Sequence, residues 1–322
     1  RSQGHDVKLL FWLLLAAIAL SGLTLWKAAR HERLAEEEWP PSGDFLTIDG
    51  HRVHYVVEGT GPDLVLIHGA SGNLRDYTFG LIDRLKDRYR VIAIDRPGLG
   101  YTERIDPSGA SIAQQADLLA RAAAELGAER PIVYGHSYGG AVALAWAVNR
   151  PEDVSALVLA AAASNPWSTG LGTYYSIISH PLGQRFVVPL LTAWVPDRVV
   201  DDQIDSIFAP QEAPQGYHSH IGAGLTLRRV SMRANALQRA NLLPEIEAQV
   251  PEYGGIDVPV EILHGDADTT VGLGVHSVPL SRQVPGANLT VLEGVGHMVH
   301  HAAPEETVDA IDRAAGRAGL AP

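Results

Sequence analysis

Pro131-Ile132-Val133-Tyr134-Gly135-His136-Ser137-Tyr138-Gly139-Gly140 is the stretch on which the reading of this chain turns. A short β-rich run, Pro131 to Tyr134, stops at Gly135, and Ala141 to Val148 follows as a good helix former. The segment reads as strand, tight turn and helix, with Ser137 at the turn. The spacing Gly-x-Ser-x-Gly suits an elbow that presents a nucleophile. Backbone on so sharp a turn is strained, and side chains two residues to either side would collide with the strand and helix, hence the glycines. The helix N-terminus then aims free N–H groups at whatever the serine attacks. The pentapeptide alone is common and fits a structural turn equally well, so the rest of the chain decides.

The 322 residues leave room for one large domain with an insertion, or for two domains. Thirty-seven acidic against 25 basic residues give a formal net charge of −12, and no Lys/Arg cluster forms a phosphate footprint. Nucleic acid is therefore not expected as a partner. There is no cysteine, which excludes disulfides, thiolate metal sites and a cysteine nucleophile. Zero cysteine fits reducing and oxidising compartments alike.

Asp44 to Glu58 holds two strands around Asp49-Gly50, a hairpin signal. Asp63 to Ile67 and Tyr89 to Asp95 are apolar runs bounded by turns, the look of strands buried on both faces. The first ends in His68-Gly69-Ala70-Ser71-Gly72, the second in Arg96-Pro97-Gly98-Leu99-Gly100. Arg75 to Asp87 reads as one amphipathic helix. Ser111 to Leu126 reads as another, with Ser111 as cap, Gln114 at the capping-box position and Gly127 past the end. Val154 to Leu159 is the strand after the elbow helix. Val258 to His264 and Asn288 to Leu292 resume the pattern, and Pro304 to Arg317 closes it with Pro304 in the first helical turn. Strands alternating with helices require a parallel sheet with helices on both faces, and ligands bind beyond the carboxyl ends of such strands. His68-Gly69-Ala70, Asp95, Ser137 and Asn165 all fall at those ends.

Between Asn165 and Pro251 the periodicity stops. This part is rich in aromatic residues and reads as short helices broken at Pro181, Pro189, Pro196, Pro210 and Pro214, with no β-run. Residues 165–251 are expected to form a helical lid inserted into a core of residues 44–164 and 252–318. Trp167, Tyr174, Trp194 and His218 are its candidate substrate contacts. After a flank of residues 1–8, Leu9 to Trp26 is an 18-residue run without a charge. As a helix it spans about 27 Å, close to the hydrocarbon thickness of a bilayer. Trp12 and Trp26 lie near its ends, and Lys8 and Lys27 bracket it. It is read as a single-pass anchor in contact with membrane lipid, the side of the membrane left open. The competing reading is a cleaved secretory signal, which would make the protein secreted or periplasmic. Residues 27–43 read as a charged stalk, helical over Ala28 to Glu38 and ended by Trp39-Pro40-Pro41-Ser42-Gly43.

A serine hydroxyl needs a base in reach and a group to orient that base. Two strand ends after the insertion supply them: His264-Gly265-Asp266-Ala267-Asp268, with two carboxylates, and Glu293-Gly294-Val295-Gly296-His297. Ser, Asp, His is the chain order of α/β-hydrolases. On these residues the chain resembles the α/β-hydrolase fold superfamily over Phe45 to Arg317, as a serine esterase or lipase-like member. His68-Gly69-Ala70 resembles its oxyanion segment, Asp95 to Gly100 its Asp-x-Pro-Gly-x-Gly turn, and Gly296-His297-Met298 its histidine loop. The resemblance implies an α/β fold with a mostly parallel eight-stranded sheet, helices on both faces and a helical lid inserted late in the sheet. It implies a triad of Ser137, Asp268 and His297, with Asp268 as the acid by the family's Gly-x-x-Asp pattern and Asp266 as a loop-structuring residue. Some members place the acid after the earlier strand, but Asn165 stands there, and an amide cannot stabilise an imidazolium as a carboxylate does. The oxyanion donors would be the backbone N–H groups of Ala70 and Tyr138. One departure is Thr269-Thr270-Val271-Gly272-Leu273-Gly274, with two glycines where members commonly show Val-Pro.

The implied chemistry is acyl transfer from a small-molecule ester, with apolar acyl or lipid-like esters favoured. Neither a metal nor an organic cofactor is called for. Serine rather than aspartate at the elbow points away from epoxide and haloalkane opening. The alternatives are a cofactor-free perhydrolase of the haloperoxidase type, an amide or thioester hydrolase on the same triad, and a non-catalytic binding protein on the same fold. Among His54, His218, His220, His300 and His301, no ligand set sharing one face with a carboxylate is expected, and His300-His301 is read as the start of the last helical turn. Asp95 and Arg96 read as turn scaffolding, and His68 and His136 as residues that shape their loops.

Overall fold

The computed structural model describes residues 3–320, so Arg1 of the N-terminal flank lies outside the described residues. The strands are β1 (Asp44–Ile48), β2 (His51–Glu58), β3 (Asp63–Ile67), β4 (Arg90–Ile94), β5 (Ile132–His136), β6 (Ala156–Ala160), β7 (Val260–Gly265) and β8 (Ala287–Leu292). They form one sheet in the order β1-β2-β4-β3-β5-β6-β7-β8. β1 and β2 pair antiparallel around Asp49 and Gly50, both at positive φ, and β2 pairs antiparallel with β4. All other pairs are parallel.

The inner strands are buried along almost their whole length on both faces, which is why they read as unbroken apolar runs. Val65, Ile67, Ile92 and Val133 face one apolar layer with the helices Ile112–Glu125 and Tyr138–Asn149. Leu64, Leu66, Val91 and Tyr134 face the other, with Pro304–Arg317. Each such aliphatic side chain contributes about 1.5–3 kcal/mol on leaving water. Ser111 caps Ile112–Glu125 through a reciprocal capping box with Gln114, as its spacing predicts.

Three elements depart from the sequence reading. The single helix expected over Arg75 to Asp87 is two, Arg75–Thr78 and Leu81–Leu85, because Gly80 sits at φ 146° between them. The anchor and the stalk are one continuous helix, Gln3–Glu38. Its apolar part is almost wholly exposed and, among the described residues, it alone is long and apolar enough to cross a membrane. Its charged part is no free stalk: Ala28 and Ala35 are buried, and Glu32 accepts from the Arg229 guanidinium at 2.6 and 2.8 Å.

The proline-rich stretch between β6 and β7 is helical, with no strand among its described residues. Pro189 does not break a helix but sits in the first turn of Val188–Trp194. The last helix there, Arg229–Gln249, keeps Pro244 inside it and runs down into the core, where Leu242 and Ile246 pack beneath the elbow helix.

Candidate active site

Ser137 lies between β5 and the helix Tyr138–Asn149 at φ 54°, ψ −118°, a conformation that costs a non-glycine residue on the order of 1–3 kcal/mol. Its backbone is held on both sides. Its N–H donates to Ala160 O at 3.0 Å, and its carbonyl accepts from Gly140 and Ala163 N–H at 3.0 and 3.1 Å. A side chain at Gly135 would run into the Gly139 carbonyl, and one at Gly139 into the Ile67 carbonyl. Tyr138 is the first residue of its helix, so its N–H has no acceptor within the helix.

The segment after β3 runs beside the serine. A Cβ at Gly69 would stand 3.3 Å from Ser137 Cβ. Arg96 clamps this segment. Its guanidinium is fully buried and donates to His68 O and Gly69 O, each at 2.9 Å, and to the side-chain oxygens of Gln115 and Gln238 at 2.8 and 2.9 Å. It also lies 4.2 Å above the Tyr138 ring. Burial pushes its pKa down to about 10, so it stays charged at neutral pH. Arg96 therefore supports both candidate oxyanion donors, Ala70 through the loop before it and Tyr138 through its ring. His68 accepts from Arg96 N–H at Nε2 and donates from Nδ1 to Gly69 O, each at 2.9 Å. That pattern is the neutral tautomer, and burial, reinforced by Arg96, pushes its pKa to about 4. Asp95 ties the neighbouring turn together, accepting from Leu74 N, Tyr101 N and His54 Nδ1 at 2.7, 2.8 and 2.6 Å.

Beyond β7 and β8 the acid and histidine loops interlock. Gly265 has no room for a Cβ against the Val295 carbonyl, and Ala267 N–H donates to that carbonyl at 3.0 Å. His297 Nδ1 lies 2.8 Å from Asp268 Oδ2. Asp268 Oδ1 accepts from Thr270 and Val271 N–H at 2.8 and 2.9 Å, and His264 Nε2 stands 3.2 Å from Oδ2. Burial works to raise the pKa of Asp268. The His264 and His297 hydrogen bonds, the imidazole charge and the Val271 N–H outweigh it and hold the carboxyl below the usual range. Asp266 instead accepts from Gly294 N–H at 2.7 Å. The stretch with two glycines thus still delivers the Thr270 and Val271 donors. Asn165 is engaged with Ser164, His276 and Gln283. The serine end meets this pair through His136, whose Nε2 lies 3.0 Å from the His297 carbonyl and whose ring centroid is 4.8 Å from that of His297.

The helical insertion holds both the histidine loop and the loop after β3. Gln211 accepts from Gly296 N–H and donates to Gly294 O at 2.9 and 2.7 Å. On the other side Asn235 exchanges two hydrogen bonds with Ser71, at 2.9 and 2.8 Å. Trp167 packs against the core with its ring centroid 6.0 Å from that of His276. Tyr174 is exposed and rests on Tyr175. Trp194 donates to Thr24 and has Lys27 over its ring, so its contacts are with the N-terminal helix. His218 pairs with Asp205 at 2.9 Å within the insertion.

One expectation is corrected. Asp76 accepts from both His300 and His301, at 3.0 and 2.7 Å, and from the Tyr217 hydroxyl at 2.7 Å, so two of these histidines do share a carboxylate. Burial works to raise the Asp76 pKa, and the charge and hydrogen bonds of the two imidazoles outweigh it and hold it well below the carboxylate range. His300 and His301 lie in a separate short helix, Val299–Ala302. Asp76 carried no signal in the sequence because its partners come from more than 140 positions away. Gln238 and Asn235 were invisible for the same reason, since their partners Arg96 and Ser71 lie equally far away in the chain.

Residues 64–310 match the family model described as the alpha/beta hydrolase family. An uncharacterized protein of Mycobacterium tuberculosis is 28% identical over 306 residues, which cover 88% of this chain and 84% of that protein. Haloalkane dehalogenase 2 of the same organism is 27% identical over 270 residues, 81% of this chain and 90% of its own. Among solved structures, a membrane phospholipase A described as a bacterial virulence factor superposes with a TM-score of 0.65 at 23% identity, over 96% of this chain and 98% of its own.

Proposed function

This chain belongs to the alpha/beta hydrolase family, and from that membership we propose that it is a serine hydrolase cleaving carboxylic esters through an acyl-enzyme on Ser137. The observation that carries the reading is the His297–Asp268 pair at 2.8 Å, tied through His136 to a serine on a strained strand-to-helix turn. His297 takes the hydroxyl proton of Ser137 as its Oγ attacks the ester carbonyl. The N–H groups of Ala70 and Tyr138 receive the oxyanion. His297 returns the proton to the leaving alcohol, and water repeats the cycle on the acyl-enzyme. Asp268 fixes the tautomer with Nδ1–H toward itself. The dehalogenase relative does not extend its named reaction to this chain, because serine stands at the elbow in place of the aspartate that opens carbon–halogen bonds.

The lipid side of the proposal is that the esters are apolar or lipid-like and that Leu9–Trp26 is a retained anchor. The docking of Thr24 to Trp39 against the helical insertion supports retention over cleavage. A panel of p-nitrophenyl esters from acetyl to palmitoyl, run on the wild type and Ser137→Ala, tests both parts. Serine-dependent turnover rising toward the longer chains is expected. Strict acetyl preference would sink the lipid reading, and no serine-dependent turnover at any length would sink the esterase reading.

A further inference from the structure

We propose that the exposed apolar stripe of Tyr174, Ile177, Leu182, Phe186, Leu190 and Trp194 is a second membrane-contacting surface, seated in the lipid interface beside the N-terminal span. The inference rests on reading Leu9–Trp26 as a span.

The first observation is the stripe itself. Residues 181–194 form an unbroken helical run after Thr173–Ser179, and their inward side is already satisfied. Ile178 and Val188 pack there on Leu227, Met232 and Ala236. The outward side of a surface helix is normally polar. Here it carries large apolar side chains at three- to five-residue spacing, with Leu182 at 62% and Phe186 at 58% exposure. A contiguous exposed patch of this kind marks a surface that is covered by something else.

The second observation is charge. The chain has 37 carboxylate side chains, yet none occurs from Val154 to Pro196, where Arg185 is the sole Lys or Arg. A segment without acidic side chains and with one basic one presents no charge of its own that anionic headgroups would repel.

The third is position. Trp194 Nε1 donates to Thr24 Oγ1 at 3.2 Å, and Lys27 Nζ lies 3.8 Å from the Trp194 ring centroid. Thr24 and Lys27 flank Trp26, where the uncharged run ends. The Trp194 end of the stripe is thereby held level with the exit of the span, and a Trp–Lys contact at that level is what the boundary between hydrocarbon and headgroups favours. A lipid surface is the occupant that fits all three.

The chain lacks cysteine, so single cysteines report cleanly. The full chain is reconstituted at low protein-to-lipid ratio into phosphatidylcholine–phosphatidylglycerol vesicles. An NBD fluorophore is placed on Phe186→Cys, on Ile18→Cys in the span, and on Glu152→Cys at the amino end of β6. Blue-shifted emission and quenching by doxyl-labelled lipid are expected at 186 and 18, and neither at 152. Quenching at 18 without quenching at 186 overturns the inference and leaves the anchor standing. Absence of quenching at 18 overturns both. A blue shift at 186 that doxyl lipid does not quench means that protein, such as a second copy, covers the face, and this also overturns the inference.

Discussion

His264 Nε2 lies 3.2 Å from the same Asp268 oxygen that His297 Nδ1 reaches at 2.8 Å. With the Thr270 and Val271 N–H groups and His297 Nδ1, the carboxylate has three hydrogen-bond donors and the His264 ring edge beside it, which fixes its orientation. His264 is fixed in turn, with Nδ1 at 2.6 Å from Ser277 Oγ and Nε2 at 2.7 Å from Val271 O.

Asp268→Asn follows directly from this arrangement. The amide keeps the shape but presents the wrong hydrogen-bonding partner to His297, and kcat is expected to fall by about 10⁴-fold. The folded-state pKa of Asp268 lies below the ordinary aspartate value of 3.8. Its stabilising contribution is therefore complete above that value and is lost as pH falls toward the folded pKa. Urea titrations at pH near 3 and near 7 should show a smaller loss of stability on acidification in Asp268→Asn than in the wild type. Equal losses would contradict the assignment.

His136 connects the serine turn to the base by a single bond to the His297 carbonyl. His136→Leu removes that donor while leaving an apolar filler. A displacement of the imidazole by a fraction of an ångström is expected to lower kcat by about 10²-fold, with KM little changed. His136→Gln restores a donor and should recover part of the loss, measured on the best ester of the panel. Equal defects in the two variants would argue for packing alone.

Arg96→Met leaves the His68 and Gly69 carbonyls and the Gln115 and Gln238 amides buried without their donor. Each unsatisfied group costs about 1–3 kcal/mol, and the groups share one site, so a total of about 3–5 kcal/mol is expected. In a domain of this size that lowers Tm by about 10 °C, read by calorimetry. Arg96→Lys keeps the charge but not the planar fork and should fall between the two.

How far such features could be read from the sequence depends on their range. The inner strands and the elbow were legible because their signals are local: apolar runs closed by glycine, and a capping box at Ser111 and Gln114. The Ser137, Asp268, His297 order was legible because each residue follows its own strand. Arg96 was read as turn scaffolding, whereas its partners Gln115 and Gln238 come from two distant helices and make it the clamp on the loop beside Ser137. Trp194 was grouped with substrate contacts by residue type alone, and the fold turns it toward Thr24. The split at Gly80 leaves no local trace, because the apolar pattern of Arg75 to Asp87 continues across a residue whose φ cannot be read from its neighbours.

Glu245 gives a pH dependence of opposite sign. Burial raises its pKa to about 7 from the ordinary 4.5, against the pull of the Ile112 N–H at 2.9 Å. The folded state then binds the proton more tightly than the unfolded one, so stability is greatest below pH 4.5 and declines as pH rises toward 7. Glu245→Gln keeps an acceptor for Ile112 and removes the charge. With screening by solvent, it is expected to stabilise the protein by about 1–2 kcal/mol above pH 7 and to leave it unchanged near pH 4. Thermal melts of both proteins across this range check the sign.

The last prediction concerns the length of helix that the folded domain requires. Glu32 accepts from the backbone N–H, Nε and Nη2 of Arg229 at 2.9, 2.8 and 2.6 Å, Glu36 accepts from Arg228 at 2.9 Å, and Trp39 donates to Ser219 O at 2.8 Å. Ala28 and Ala35 are buried in the same seam, and a Cβ at Gly224 would stand 2.9 Å from Ala35 Cβ. Among the described residues before Thr24, the large apolar side chains from Val7 to Leu23 are exposed instead. Deleting residues 1–20 should therefore leave Tm nearly unchanged while abolishing vesicle binding through the span. Deleting residues 1–41 removes the ion pairs, each worth about 1 kcal/mol or less at partly exposed sites, together with the apolar seam. A loss of about 2–4 kcal/mol is expected. The insertion should then open first, so trypsin should cut at Arg228 or Arg229 well before it cuts the core. Equal melting temperatures and equal protection at these sites in the two deletions would show that the insertion holds its place without the helix.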